Sequence, residues 1–241
     1  MLYAIISDIH ANLEALETVL AAIDKRGADQ IICLGDVVGY NASPNECADL
    51  IRGRDIPTIC GNHDAVACGL DEPFGFNPVA LAAAMWTREN LSGENLAWLR
   101  DLPNDRLFDS FLAAHGSPAD RDRYLFTWED IAPHVPALEA QDRSLCFFGH
   151  THTAGIYAAD GLYSVDEDAR FPLGAGKTFF INPGSVGQPR DGDPRAAFGY
   201  YNADTREYEQ IRLEYPVEQA AARVVENGLP EFLAQRLFLG R

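Results

Sequence analysis

Residues 2–10, LYAIISDIH, run from an apolar stretch directly into an acid and a histidine, Asp8 and His10. A short apolar run of this kind predicts a buried strand over 2–7 with a polar tip. Asn12 then stands as a helix cap. Leu13, Leu16, Val19, Leu20 and Ile23 recur at three- and four-residue steps, which marks one buried helix face, and Gly27 closes it. A second strand is expected over 31–34. A helix over 44–52 follows, with Ser43 as cap and Pro44 at the first position, and then a third strand over 57–60. Apolar strands separated by amphipathic helices are parallel-sheet material.

Beyond this point the sequence predicts helices over 78–89 and 93–100, the second capped by Ser92, and a strand over 111–114. A helix over 129–139, weakened by Pro133 and Pro136, and a strand over 145–148 come next. The last third changes character. Short strands at 156–159, 162–165, 178–181, 198–202 and 207–213 are split by Gly, Asp and Asn, which suggests antiparallel hairpins with turns at 159–161 and 202–204. Terminal helices are expected over 217–227 and 230–239, where they serve packing or association. No linker, repeat or low-complexity tract interrupts the chain. Residues 1–241 are therefore expected to form one α/β domain with two packed sheets and outer helices.

Among 241 residues, 47% are hydrophobic, which is ordinary globular composition and enough for one substantial core. Lys and Arg total 19 against 36 Asp and Glu, a net charge of −17. That field repels nucleic-acid backbones and anionic membranes, and no basic run marks a polynucleotide groove. The five cysteines, Cys33, Cys47, Cys60, Cys68 and Cys146, form no CxxC pair, and their odd number argues against a disulfide framework. The opening residues lack a basic region and a long apolar run, so neither a signal peptide nor a membrane span is expected. A reducing, cytoplasmic setting follows as the expectation.

Chemistry-bearing residues gather in five short motifs: Asp8-Ile9-His10, Gly35-Asp36, Gly61-Asn62-His63-Asp64, His115-Gly116 and Gly149-His150-Thr151-His152. Each directly follows an expected strand. A single histidine beyond a strand is usually an ordinary loop residue. Five such motifs at strand ends, however, converge on one sheet edge. Imidazole, carboxylate and amide oxygen suit borderline divalent ions such as Mn, Fe, Zn, Co or Ni. More such groups are present than one ion takes, and they suit two ions sharing a carboxylate. Two ions about 3.5–4 Å apart can clamp a phosphoryl centre for in-line attack by a hydroxide.

In order and spacing, D-x-H, G-D, G-N-H-D, H and G-H-x-H resemble the calcineurin-like metallophosphoesterase superfamily. The stretches SDIHANLEAL, CLGDVVGY, GNHDA, HGSP, GHTH and NPGSVGQPRDGDPRAAF look closest to its small bacterial and archaeal phosphodiesterase branch, often labelled diadenosine-tetraphosphatase-related. The resemblance runs from Ser7 to about Tyr200. It implies a four-layer α-β-β-α sandwich of two mixed sheets flanked by helices, with two divalent ions at one edge. It also implies that Asp8, His10 and His152 hold the first ion, that Asp36 bridges both, and that Asn62, His115 and His150 hold the second. A metal-bridging hydroxide would attack phosphorus without a covalent enzyme intermediate. His63 would be the catalytic histidine that is not a ligand, protonating the leaving oxygen or stabilising the phosphoryl oxygens; the rival readings are a packed histidine or a ligand.

The substrate side departs from better-known relatives. Where they carry GDxxDRG, this chain reads Gly35-Asp36-Val37-Val38-Gly39-Tyr40-Asn41, so the second aspartate and the arginine are missing. This disfavours a protein phosphatase and casts doubt on the tetraphosphatase label. Arg190 is a candidate for the lost phosphate grip, with Arg195 beside it in the same Gly/Pro-rich loop. Tyr40, Asn41 and Ser117 are rim candidates. Asp64 either holds the far nitrogen of His63 or caps the turn that follows, and the cap is favoured. Thr151 is expected to face the scaffold, Asn182, Gly184 and Ser185 to shape a tight turn, His134 to lie on the surface, and Phe74, Phe76 and Trp86 to pack the helical middle. The expected activity is hydrolysis of small phosphodiesters. The alternatives are a phosphomonoesterase, a protein or dinucleoside-polyphosphate phosphatase, a nuclease, and a non-catalytic protein-binding scaffold. A small phosphorylated molecule is the expected partner.

Overall fold

In the computed structural model, which describes residues 1–163 and 170–241, the opening apolar run forms β1 (Leu2–Ile6). The next elements are α1 (Leu13–Arg26), β2 (Gln30–Cys33), α2 (Pro44–Gly53), α3 (Asn62–Cys68), α4 (Pro78–Asn90) and α5 (Gly93–Arg100). The middle of the chain holds β3 (Asp105–Leu107), β4 (Leu112–Ala114), α6 (Trp128–Ile131), α7 (Val135–Glu139) and β5 (Leu145–Phe147). Then come β6 (Gly155–Ala158), β7 (Gly161–Tyr163), β8 (Arg170–Pro172), β9 (Phe179–Asn182), β10 (Ala196–Asn202) and β11 (Glu207–Leu213), followed by α8 (Val217–Glu226) and α9 (Glu231–Leu237).

Among the described residues these strands make two mixed sheets, ordered β2-β1-β10-β11-β8 and β3-β4-β5-β9-β6-β7. β1 and β2 run parallel, with Ile5 opposite Ile32. β4, β5 and β9 run parallel in the other sheet. The expected hairpins are present as antiparallel β6–β7 and β10–β11 pairs. Because β1, β2, β4 and β5 point the same way within their sheets, the polar residues after them share strand tips.

Side-chain alternation explains the layers. Tyr3 and Ile5 of β1 face Phe147, Phe179, Ile181 and Tyr201 in the apolar layer between the sheets. Ala4 and Ile6 face the other way, against Leu16, Val19 and Leu20 of α1 and Val224 and Leu233 of the terminal helices. Cys146, Phe148 and Phe180 pack beneath Ile131 and Leu138 on the outer side of the second sheet. This is the expected α-β-β-α sandwich. The terminal helices serve packing, and Arg223 of α8 donates to Glu14 of α1 at 2.8 Å.

Several local expectations change. Residues 57–60 are extended but form only the Cys33–Thr58 bridge, because Cys60 N–H is drawn to the Pro103 carbonyl instead of a second strand. The 129–139 segment splits into α6, a 3-10 turn over Ala132–His134 and α7, since Pro133 and Pro136 cannot donate to a continuous ladder. Ser43 makes no side-chain cap, and its N–H is held by the Ala11 carbonyl. α3 arises where a motif alone was read. The predicted strand at 162–165 begins in β7, and its residues 164 and 165 lie outside the described residues. Among the described residues no helix is long and apolar enough to cross a membrane.

Candidate metal centre

All five motifs meet at one place between the strand tips. The turns after β1 and β2 are laced together: His10 N–H donates to the Asp36 carbonyl at 2.8 Å and Ala11 N–H to the Val37 carbonyl at 2.9 Å. From the other sheet, Gly149 N–H donates to the His115 carbonyl, and His150 N–H reaches the Asp8 carboxylate at 3.1 Å. The loop after β9 closes the ring, as Ser185 Oγ–H donates to the Asp8 carbonyl at 2.7 Å. Asp8, His10, Asp36, His150 and His152 all take left-handed backbone, with φ of 53°, 50°, 53°, 66° and 58°. Such strain costs of order 1 kcal/mol per residue and gathers at functional sites.

Donor atoms of Asp8, His10, Asp36 and His152 lie within 4.8 Å of one another, and so do those of Asp36, His115 and His150. Asp36 belongs to both groups. Its Oδ2 is 3.4 Å from His10 Nε2 and 3.4 Å from His115 Nε2. Asn62 joins the second group through Oδ1, 3.1 Å from His115 Nε2. His63 N–H donates to the other Asp36 oxygen at 2.8 Å. Gly61 permits that approach, since a Cβ there would come 2.1 Å from Asp36 Oδ1.

Ring orientation tests whether this set fits metal. His10, His115 and His152 each place Nδ1 against a backbone carbonyl, of Val38, Leu34 and Gln188, at 3.1, 2.7 and 2.6 Å. In its neutral form, a ring that donates from Nδ1 turns a bare Nε2 inward, the usual way a ligating histidine is braced. His10 Nε2 and His152 Nε2 then face each other at 3.0 Å. Two lone pairs at that distance repel unless a cation lies between them. Burial holds both rings below the ordinary imidazole range, which favours the neutral form that a metal ligand needs. His150 is braced the other way round, with Nε2 3.2 Å from the Asp122 carbonyl, which leaves Nδ1 as its donor atom. Burial pushes its pKa down to about 3. For both aspartates burial opposes ionisation, yet the balance with the neighbouring rings, His152 beside Asp8 and His115 first beside Asp36, lies below the ordinary carboxylate range. Nitrogen and oxygen donors with satisfied outer partners fit borderline divalent ions.

His63 differs from the others. Its Nδ1 is buried against Gly39 with no hydrogen-bond partner, and its ring lies between Tyr40 at 4.3 Å and Phe76 at 4.7 Å. Asp64 does not touch it. Its carboxylate accepts from Gly61 N–H at 3.0 Å and Val38 N–H at 3.1 Å, so it caps α3 and ties that helix to the β2 tip. Burial, then Asp36, pushes Asp64 up to about 7.

A cleft of about 170 Å³ opens beside His63, Asn62 and His150, walled by Tyr40, Phe74, Phe76, Asp122 and Tyr124. Tyr40 therefore stands where the sequence placed it, 4.6 Å from the His10 ring. Arg190 is near: its guanidinium donates to Gln188 Oε1 at 2.8 Å and lies 5.4 Å from the Tyr40 ring centre. Asn41 is buried away from the cleft wall, and its amide donates to the His10 carbonyl at 2.8 Å. Ser117 lines a different cavity with Asn104, Asp105 and Arg121, and its Oγ accepts from Asp120 N–H. Arg195 pairs with Asp193. Thr151 faces the scaffold, accepting from Asn182 at 2.9 Å. Phe74 does not pack the helical middle; it is 89% exposed at the cleft mouth. Phe76 meets both the core and His63. Tyr124, 4.0 Å from the His150 ring, and Asp122 were missed, because the loop after His115 has no periodicity to read.

A calcineurin-like phosphoesterase superfamily domain model matches residues 1–206. An uncharacterized protein of Methanocaldococcus jannaschii is 38% identical over 242 aligned residues, covering 99% of this chain and 98% of that one. The crystal structure of a metallophosphoesterase from Sphaerobacter thermophilus is 38% identical with a TM-score of 0.89, covering 100% of this chain and 99% of the other. A hypothetical protein of Pyrococcus horikoshii shares the fold at 20% identity and a TM-score of 0.81, covering 100% and 98%. With the donor cluster at its strand tips and this likeness along its length, the chain belongs to the calcineurin-like phosphoesterase superfamily and is a metal-dependent phosphoesterase.

Proposed function

We propose that the chain hydrolyses small phosphodiesters at a pair of divalent ions, with Asp8, His10 and His152 on one side of Asp36 and Asn62, His115 and His150 on the other. The observation that carries this reading is the single Asp36 oxygen standing 3.4 Å from a histidine of each group. When bound, the ions supply Lewis-acid charge for the phosphoryl oxygens and lower the pKa of the attacking water. In the net reaction water adds to phosphorus, one ester P–O bond breaks, and an alcohol and a phosphomonoester leave.

The remaining work falls to His63. Burial, reinforced by Arg190, pushes it down to about 4 against the pull of Asp36, so the ring is neutral near pH 7. With Nδ1 buried and unpartnered, the proton sits on Nε2, the ring nitrogen left for the cleft. This favours hydrogen bonding to the phosphoryl or leaving oxygen over release of a full proton from an imidazolium. The cleft is small and its walls are aromatic, which suits a small ester. The −17 charge disfavours a long polynucleotide. Cytoplasmic residence is part of the proposal, supported by five free, buried cysteines.

The test is turnover of bis(4-nitrophenyl) phosphate. Protein stripped with EDTA is expected to be inactive, and added Mn or Ni to restore it. His63→Ala is expected to lower kcat by about 10²–10⁴-fold with metal content unchanged. Activity that survives chelation, or loss of metal from His63→Ala, overturns the assignment.

A further inference from the structure

Two guanidinium groups meet at Tyr40. Arg190 Cζ lies 5.4 Å and Arg236 Cζ 5.9 Å from the centre of its ring. Arg190 follows β9, whereas Arg236 belongs to α9, beyond the residues 1–206 that match the superfamily domain. Among the described residues neither faces an Asp or Glu carboxylate. Arg190 spends Nε and Nη2 on Gln188 Oε1. Arg236 donates from Nε to the backbone oxygen of Arg241, the last residue, and stands over Phe232. Arg190 also hydrogen-bonds Tyr40, whereas both Arg236 Nη groups are without a hydrogen-bond partner among the described residues.

Arginines here divide between carboxylates, as Arg54 with Asp24 and Arg223 with Glu14, and backbone carbonyls, as Arg88 with Val66 and Arg100 with Cys68; Arg190 and Arg236 differ in standing together at one ring beside the cleft. Half-buried like charges repel, and burial, then Arg190, pushes Arg236 down to about 10. An anion that contacts both lessens the repulsion and takes the free Arg236 donors. The position adjoins the metal centre. The Tyr40 ring is 4.6 Å from that of His10 and 4.3 Å from that of His63, and Arg190 acts electrostatically on His63 and His152. Tyr40 and Tyr124, both felt by Arg236, line the cleft.

We propose that Arg190 and Arg236 form a second anion subsite beside the metal centre, which takes a further phosphoryl group on the substrate and so favours phosphoesters that carry one. The word substrate rests on the activity proposed above; the subsite itself does not. It makes α9 part of substrate selection.

The test is direct binding to full-length, Mn-loaded protein by calorimetry at buffered free Mn. The probes are orthophosphate and methylenediphosphonate, which carries two phosphoryl groups and is not hydrolysed. The diphosphonate is expected to bind at least about tenfold tighter. Arg236→Gln, and separately Arg190→Gln, should bring the two probes to within about twofold while orthophosphate affinity holds. The variants lie on different elements, so misfolding of one leaves the other decisive. A preference that persists in both, or no preference in the unaltered protein, overturns the subsite. A preference that depends on the arginines in protein unable to cleave bis(4-nitrophenyl) phosphate leaves the subsite standing and removes the activity. Turnover with a preference indifferent to both arginines does the reverse.

Discussion

His115 sits where two opposing effects can be weighed at a single ring. Burial disfavours its charge, but Asp36, together with Asp8 and the Leu34 carbonyl, outweighs burial and lifts the pKa to about 9. Without metal the ring is therefore protonated at pH 7, and a ligand must be neutral. Metal binding below pH 9 should release this proton, so affinity should climb roughly tenfold per pH unit and level off above about 9. Calorimetry at pH 7 in two buffers of different ionisation heat should show about one proton released per chain; no release would contradict the assignment of His115. Gly39 tests the other half of the site. Its φ is +96°, and a Cβ there would come 2.6 Å from His63 Nδ1. Gly39→Ala should displace His63 and destabilise the fold by about 1–3 kcal/mol. Turnover should fall at least about tenfold while metal content holds. Full activity in that variant would mean that the placement of His63 is not critical.

Elements deliver these residues to one edge, and they are read from sequence with unequal success. The strands β1, β2, β4 and β5 were legible because their apolar runs are short and each ends on a motif. β3 was not, because Asp105–Leu107 is exposed and carries two charged residues in three. β8, an edge strand ending on Pro172, has no alternation to read. The 57–60 run looked like a strand on composition alone, but strand formation needs a partner that local sequence does not specify. The candidate metal donors were legible for a related reason, since all but Asn62 follow a strand closely. Arg236, Phe74 and Tyr124 were not, because loops and a distant helix bring them to the site through tertiary packing. α9 owes its position to Leu233 and Leu237, both buried against the layer beneath α1. Leu233→Ala should cost about 2–5 kcal/mol in urea unfolding. A cost below about 1 kcal/mol would mean that α9 is held by something other than its apolar face.

Across the whole molecule, two fields of opposite purpose coexist. The chain carries a net −17, a field that opposes the approach of polyanions. The buried centre gathers two carboxylates, an amide and five imidazoles, His63 among them, and becomes cationic only when ions arrive. Two quantities decide whether the centre is dinuclear: how many ions the folded chain holds, and whether Asp36 joins them. Elemental analysis of active protein after dialysis, paired with Asp36→Asn, measures both. The expectation is two divalent ions per chain in the active protein and loss of both, together with activity, in the variant. Saturation at one ion with full turnover, or two ions retained by Asp36→Asn, would contradict it.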